Sequence, residues 1–121
     1  MNNKTNTIRI DKLGITSLYN FFEKNNVYYE SVKNFSASHN YLTDIMDINI
    51  ISNVTNINVS SNQLTCVDCL RENEQLKHIN ISNNEILNID NLLLSPNKIR
   101  NLYCYNNLLT SVNLTKCFKL E

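Results

Sequence analysis

This sequence predicts a short solenoid of stacked parallel strands, and three observations predict it. The first is an eleven-residue pattern written four times, at Val32–Leu42, Val54–Leu64, Leu76–Ile86 and Ile99–Leu109. Each copy fits L-x-x-L-x-L-x-x-N-x-L, with Val, Ile, Phe, Ala or Cys replacing some leucines. The second is the register of the asparagines: Asn40, Asn62, Asn84 and Asn107 recur at one near-constant step, lengthened once before Asn107. The third is a further apolar residue five positions after each Asn, at Ile45, Val67, Ile89 and Val112. Together these make the leucine-rich-repeat signature. The expected fold is a leucine-rich-repeat solenoid: a short curved parallel β-sheet with extended or 3₁₀ convex turns and an N-terminal helical cap.

The strand pattern follows from period two, because side chains of an extended segment alternate between faces. Phe35 and Ala37 point inward, as do Ile57 and Val59, Ile79 and Ile81, and Leu102 and Cys104. One repeat offers about six inward apolar groups, each worth about 1.5–3 kcal/mol when buried. Ordering its backbone costs about 1–2 kcal/mol per residue, so a lone repeat cannot fold. Stacked repeats cover one another's apolar rows. The asparagines Asn40, Asn62, Asn84 and Asn107 are expected to form a buried ladder, since an amide can both donate to and accept from turn backbone. The outward Asn58 should be dispensable for folding.

Residues 1–31 read as an N-terminal tail and cap, and residues 32–121 as repeats with four strands and an incomplete fifth repeat. Leu18, Phe21 and Phe22 have helical spacing, and Thr16 or Ser17 can cap a helix over about 16–24. A decayed repeat competes with that cap. Ile10, Leu13 and Ile15 precede Val32, Phe35 and Ala37 by the common repeat step, which puts Leu18 where the asparagine belongs. Stretches 46–53, 68–75 and 90–98 should form the convex side, irregular near Pro96, where the extra residue falls. Beyond Val112 no capping helix is legible, so Leu109, Val112, Leu114 and Leu120 should be half covered.

Composition narrows the function classes. The chain carries 11 basic and 11 acidic groups, so no strong field points to nucleic acid or an anionic membrane. No apolar run reaches the roughly 18 residues of a membrane span, and the polar amino terminus lacks a secretory h-region. The reading is intracellular and cytoplasmic. Abundant Asn, Ile and Lys, with one Gly, one Pro and no Trp, suit an AT-rich genome. Of the four cysteines, Cys104 and Cys69 should face inward and Cys66 outward. Cys66 and Cys69 form a C-x-x-C, but no disulfide framework, redox site, metal site or cofactor is indicated. His39 and His78 lie in different columns, so no enzyme is expected.

The segment Leu102-Tyr-Cys104-Tyr-Asn-Asn107-Leu-Leu109-Thr-Ser-Val112-Asn-Leu114 resembles internalin-like repeats, in which Cys replaces the second strand leucine. In style and composition the chain is also similar to short leucine-rich-repeat proteins of large AT-rich DNA viruses, notably insect poxviruses. The resemblance implies a curved scaffold that binds proteins, host proteins if viral, with no catalytic residues. Ala37 in the first repeat and the missing carboxyl cap depart from the pattern.

Outward side chains should stack in columns: Asn34, Asn56, His78, Asn101; then Ser36, Asn58, Asn80, Tyr103; then Ser38, Ser60, Ser82, Tyr105. Lys33, Thr55, Lys77 and Arg100 form a basic edge. Tyr and Arg most often carry interface energy, which nominates Tyr103, Tyr105 and Arg100 as partner-binding residues, supported by His78, Asn80, Asn58 and Asn101. A solvated polar sheet face without a ligand fits the same residues. The functional expectation is a protein-binding module whose partner is unidentified. The alternative is a structural or vestigial repeat unit that self-associates through its open C-terminal edge.

Overall fold

Alternation along each strand does send Phe35, Ile57, Ile79 and Leu102 to one buried row. The computed structural model describes residues 6–25, 29–93 and 99–110. Among the described residues five short strands lie in chain order in one sheet: β1 (Thr7–Arg9), β2 (Asn34–Ser36), β3 (Asn56–Asn58), β4 (His78–Asn80) and β5 (Asn101–Tyr103). All neighbours are parallel and in phase, with Phe35 opposite Ile57, Ile57 opposite Ile79, and Ile79 opposite Leu102. This is a leucine-rich-repeat solenoid.

The sheet has one strand more than the four expected, and it falls inside the segment assigned to the cap. In β1, Ile8 pairs with Phe35, and Ile10 N–H donates to the Ser36 carbonyl at 2.7 Å. Thr7 faces Asn34, whereas Asn34 faces Asn56, so the first repeat is longer than the second. The extra chain makes a helix, α1 (Leu18–Lys24), in place of a tighter turn. Cap helix and degenerate repeat therefore coexist, and the register corrects the expectation for Leu18. The asparagine position falls on Leu13, which is 63% exposed. Leu18 and Phe22 are buried, and Phe22 packs between Phe35 and Tyr29 with ring centroids 6.2 and 5.2 Å away. Ser17 occupies the N-cap position without a side-chain hydrogen bond.

On the convex side the apolar period changes from two to three, and this selects 3₁₀ turns at Met46–Ile50 and Asp68–Glu72. In a 3₁₀ helix every third side chain returns to one face. Ile45, Ile48, Ile51 and Val54 are all buried, and their backbones are chained: Ile48 N–H to Ile45 O, Ile51 N–H to Ile48 O, Val54 N–H to Ile51 O. The next repeat copies this with Val67, Leu70, Asn73 and Leu76. Asn73 breaks the apolar row, and its Nδ2 donates to Ile51 O at 3.0 Å. In the fourth repeat a single α turn, α2 (Asp90–Leu93), replaces the 3₁₀ turn. Pro96, Val112, Leu114 and Leu120 lie outside the described residues.

Each strand leaves the sheet through a left-handed residue: Lys12, His39, Ser61, Asn83 and Asn106 have φ between 55° and 58°. That kink turns the backbone inward, and an asparagine closes it after β2, β3, β4 and β5. Asn62 shows the arrangement. Its Nδ2 donates to Ala37 O, Val59 O and Ser60 O, each at 3.1 Å, and its Oδ1 accepts Leu42 N–H at 3.0 Å. Asn84 repeats these bonds one step along, to Val59, Ile81, Ser82 and Leu64. Asn40 binds Ile10 O and accepts from Leu13 and Ile15 N–H. Asn107 binds Ile81 O and accepts from Ile86 N–H.

A second polar position starts the convex turn. Asp44 Oδ1 accepts Met46 N–H at 3.2 Å and Asn88 Oδ1 accepts Asp90 N–H at 2.6 Å, whereas Cys66 offers only its sulfur to Asp68 N–H at 3.5 Å. Cys66 is exposed, and Cys69 and Cys104 are half-buried. Burial pushes the Cys69 thiol up to about 11, assisted by neighbouring Cys66.

Asn62→Ala or Asn84→Ala should each cost about 1–3 kcal/mol in urea unfolding, because several buried backbone groups lose their partner. Cys66→Asn should raise the unfolding midpoint, contributing about 0.5–1 kcal/mol by restoring an oxygen acceptor at a turn start.

Candidate functional site

The concave face of the sheet is formed by the side chains that alternation sends outward, and the structure sorts them into tied and free groups. The serine column expected to face solvent does not. Ser38, Ser60 and Ser82 are buried, and so is Ser36 in the neighbouring column. Asn58 is not a bystander to folding either. Its Oδ1 accepts both Ser60 N–H at 3.0 Å and Ser60 Oγ–H at 2.7 Å. Asn80 Oδ1 likewise accepts Ser82 N–H at 3.1 Å.

The remaining candidates gather at the β4–β5 end of the face. Tyr103 and Tyr105 are exposed on β5 and just beyond it, and Arg100 is exposed one residue before that strand. His78 and Asn101 are adjacent across β4 and β5, with a hydrogen bond between Asn101 Nδ2 and His78 Nδ1. A depression of about 380 Å³ is lined by Thr7, Arg9, Asn34, Asn56 and Asn58 over β1–β3. The tyrosines do not line it. Arg9 and Thr7 carry no signal in the sequence, because the repeat they begin is longer than the common step and falls out of phase with it.

Charge is distributed unevenly about this face. Lys33, Lys77 and Arg100 are exposed at equivalent positions, and with Thr55 they form one rim. Their backbones are laddered: Arg100 N–H donates to Lys77 O, Lys77 N–H to Thr55 O, and Thr55 N–H to Lys33 O. Among the described residues none of these cations makes an ion pair; the pair present is Arg9–Asp11 at 3.5 Å. Asp47, Asp68 and Asp90 instead sit in the convex turns.

Asp11 closes the serine column at the N-terminal end. It accepts Ser36 Oγ–H at 2.6 Å, Ser38 N–H at 2.7 Å and Ser38 Oγ–H at 2.9 Å. Partial burial alone raises its pKa, but these three bonds and the Arg9 charge outweigh it and leave the carboxyl below its ordinary 3.8. A carboxyl more acidic in the folded chain stabilises fully above its unfolded pKa, and that contribution fades as pH falls through the folded value. Asp11→Asn should therefore lower stability at neutral pH and flatten the acid limb of the stability–pH profile. Denaturant midpoints taken from neutral pH into the acid range check this.

No family model matches the sequence, and no curated protein matches it. Solved structures do. An internalin, inlF, from Listeria monocytogenes superposes with a TM-score of 0.69 at 22% identity, covering 76% of this chain and 27% of that one. A second Listeria monocytogenes internalin, inlC2, gives a TM-score of 0.68 at 22% identity over 75% of this chain and 40% of that one. The chain thus spans less than half the length of either neighbour. At this identity the likeness is one of fold, and it places the chain among leucine-rich-repeat solenoids similar to those of the internalins.

Proposed function

We propose that the chain is a protein-binding leucine-rich-repeat module that uses its concave face. The observation behind this is the row of polar side chains set at strand spacing on a laddered sheet, several without partners among the described residues. The laddered backbone beneath them is already ordered and loses little conformational freedom when a partner docks. Four strand spacings of about 4.8 Å and a few residues of strand give only a few hundred Å². A specific interface takes about 800 Å² per partner, so the Tyr103–Tyr105 end and the rim must contribute with the depression. His39 and His78 occupy different columns, which supports a binding role over a catalytic one.

The free thiols of Cys66, Cys69 and Cys104 suit a reducing, intracellular setting. A viral origin with a host protein as target is a finer reading that rests on composition and repeat style. Self-association through the β5 end is the second functional reading, favoured by exposed Leu108 and Tyr105 there.

Photocross-linkers placed at Asn56, Tyr103 and Ile50 separate these readings. Partner adducts should form from Asn56 and Tyr103 and not from Ile50 on the convex side; adducts from Ile50 alone sink the concave reading. Sedimentation at rising concentration should show a monomer of 14.0 kDa. A dimer abolished by Leu108→Lys would favour self-association instead.

A further inference from the structure

The two asparagines in the middle of the concave face have a fixed orientation. Asn58 Oδ1 is held by Ser60 N–H and Oγ–H, and Asn80 Oδ1 by Ser82 N–H. A backbone N–H requires an acceptor, so the amide cannot flip without stranding it. The oxygen of each side chain is therefore consumed, and the NH₂ group is what remains. Neither Nδ2 has a partner among the described residues. Adjacent strands place these two donors one strand spacing apart, about 4.8 Å, in the order Asn58 on β3 and Asn80 on β4. The cations Lys33, Lys77 and Arg100 are exposed along the rim one residue before the strands begin, without ion pairs among the described residues, and Asn58 and Asn80 end their strands three residues further on. Asp11, the carboxylate at the N-terminal end of the face, has its Oδ1 held by three serine donors and its Oδ2 paired with Arg9.

We propose that the concave face recognises an acidic, acceptor-rich protein segment, whose carboxylates meet the Asn58 and Asn80 amides and the Lys33–Lys77–Arg100 rim. This rests on the reading of the concave face as the binding surface and states the chemistry it selects. Donors without matching acceptors favour a ligand of carbonyls and carboxylates, since hydrogen bonds to charged groups are the stronger ones. The rim adds complementary charge, which steers encounter and suppresses basic partners. A nucleic acid fits less well. Its affinity depends on neutralising many phosphates, and this chain balances 11 cations with 11 acids. Three rim cations in line suit two or three carboxylates of an extended peptide.

The probe is a short fluorescein-labelled peptide of alternating Glu and Ser, read by anisotropy at low salt. Its Gln/Ser counterpart and a single-stranded oligonucleotide serve as controls. The Glu peptide should bind at least about tenfold more tightly than the Gln peptide, and added salt should weaken it. Asn58→Asp combined with Asn80→Asp keeps the oxygens that hold Ser60 and Ser82 but removes the outward donors. It should weaken the Glu peptide at least about tenfold with an unchanged circular dichroism spectrum. Lys33→Gln with Lys77→Gln, both on the exposed rim, gives a second variant that does not touch the core and should reduce the salt dependence. No binding of the Glu peptide, equal binding of the Gln peptide, or preference for the oligonucleotide overturns the proposal. If cross-links from Asn56 persist while both double variants bind normally, the acidic chemistry fails and the concave reading stands. Cross-links confined to Ile50 overturn the concave reading itself.

Discussion

The hydrogen bonds of the inward-turned asparagines hold the rest of the structure in register. Each repeat must leave its strand through a left-handed residue, and that kink leaves carbonyls facing the core and an amide N–H of the next segment without a strand partner. Asn40, Asn62, Asn84 and Asn107 meet these groups from two adjacent repeats at once. The bond from Asn62 to Ala37 O and the bond from Leu42 N–H to Asn62 Oδ1 both cross between repeats. The ladder is thus a connection between coils as well as a plug within one. It lets the apolar rows stack in phase, and the in-phase rows in turn align the outward columns.

Once the columns are aligned, their chemistry becomes collective. Lys33, Lys77 and Arg100 are far apart in the chain, yet backbone ladder bonds set them along one rim. The acids of the convex turns fall on the other side of the solenoid. A neutral chain consequently carries a row of cations along one rim of its sheet, with the Asn58 and Asn80 amides at the far ends of the strands. The N-terminal end differs in kind. There Asp11 stands where the next three repeats have serine, and its Oδ1 gathers Ser36 and Ser38 into one network while its Oδ2 faces Arg9.

Legibility followed the repeat period. The strand register from Val32 to Leu109 and the inward pairs such as Ile79 and Ile81 could be read because each residue has an equivalent one repeat away, whereas the convex turns could be narrowed only to extended or 3₁₀. The strand at Thr7–Arg9 could not, because helix α1 lengthens its repeat and shifts it out of phase with the others. Asn58 could not be assigned either. Alternation states only that it points outward; that its oxygen turns back to Ser60 depends on the backbone bend after β3.

Periodic burial was enough to dictate a stacked parallel solenoid, its inward rows and its asparagine register, because few other folds bury such a pattern. Where the face is hollow, which serines are covered and which amide atoms stay free were settled only when the coils packed together. Those properties arise from curvature and from bonds between neighbouring coils. Arg9 lines a depression with Asn58, and Tyr103 does not, because a shared column in the repeat pattern sets direction but not depth.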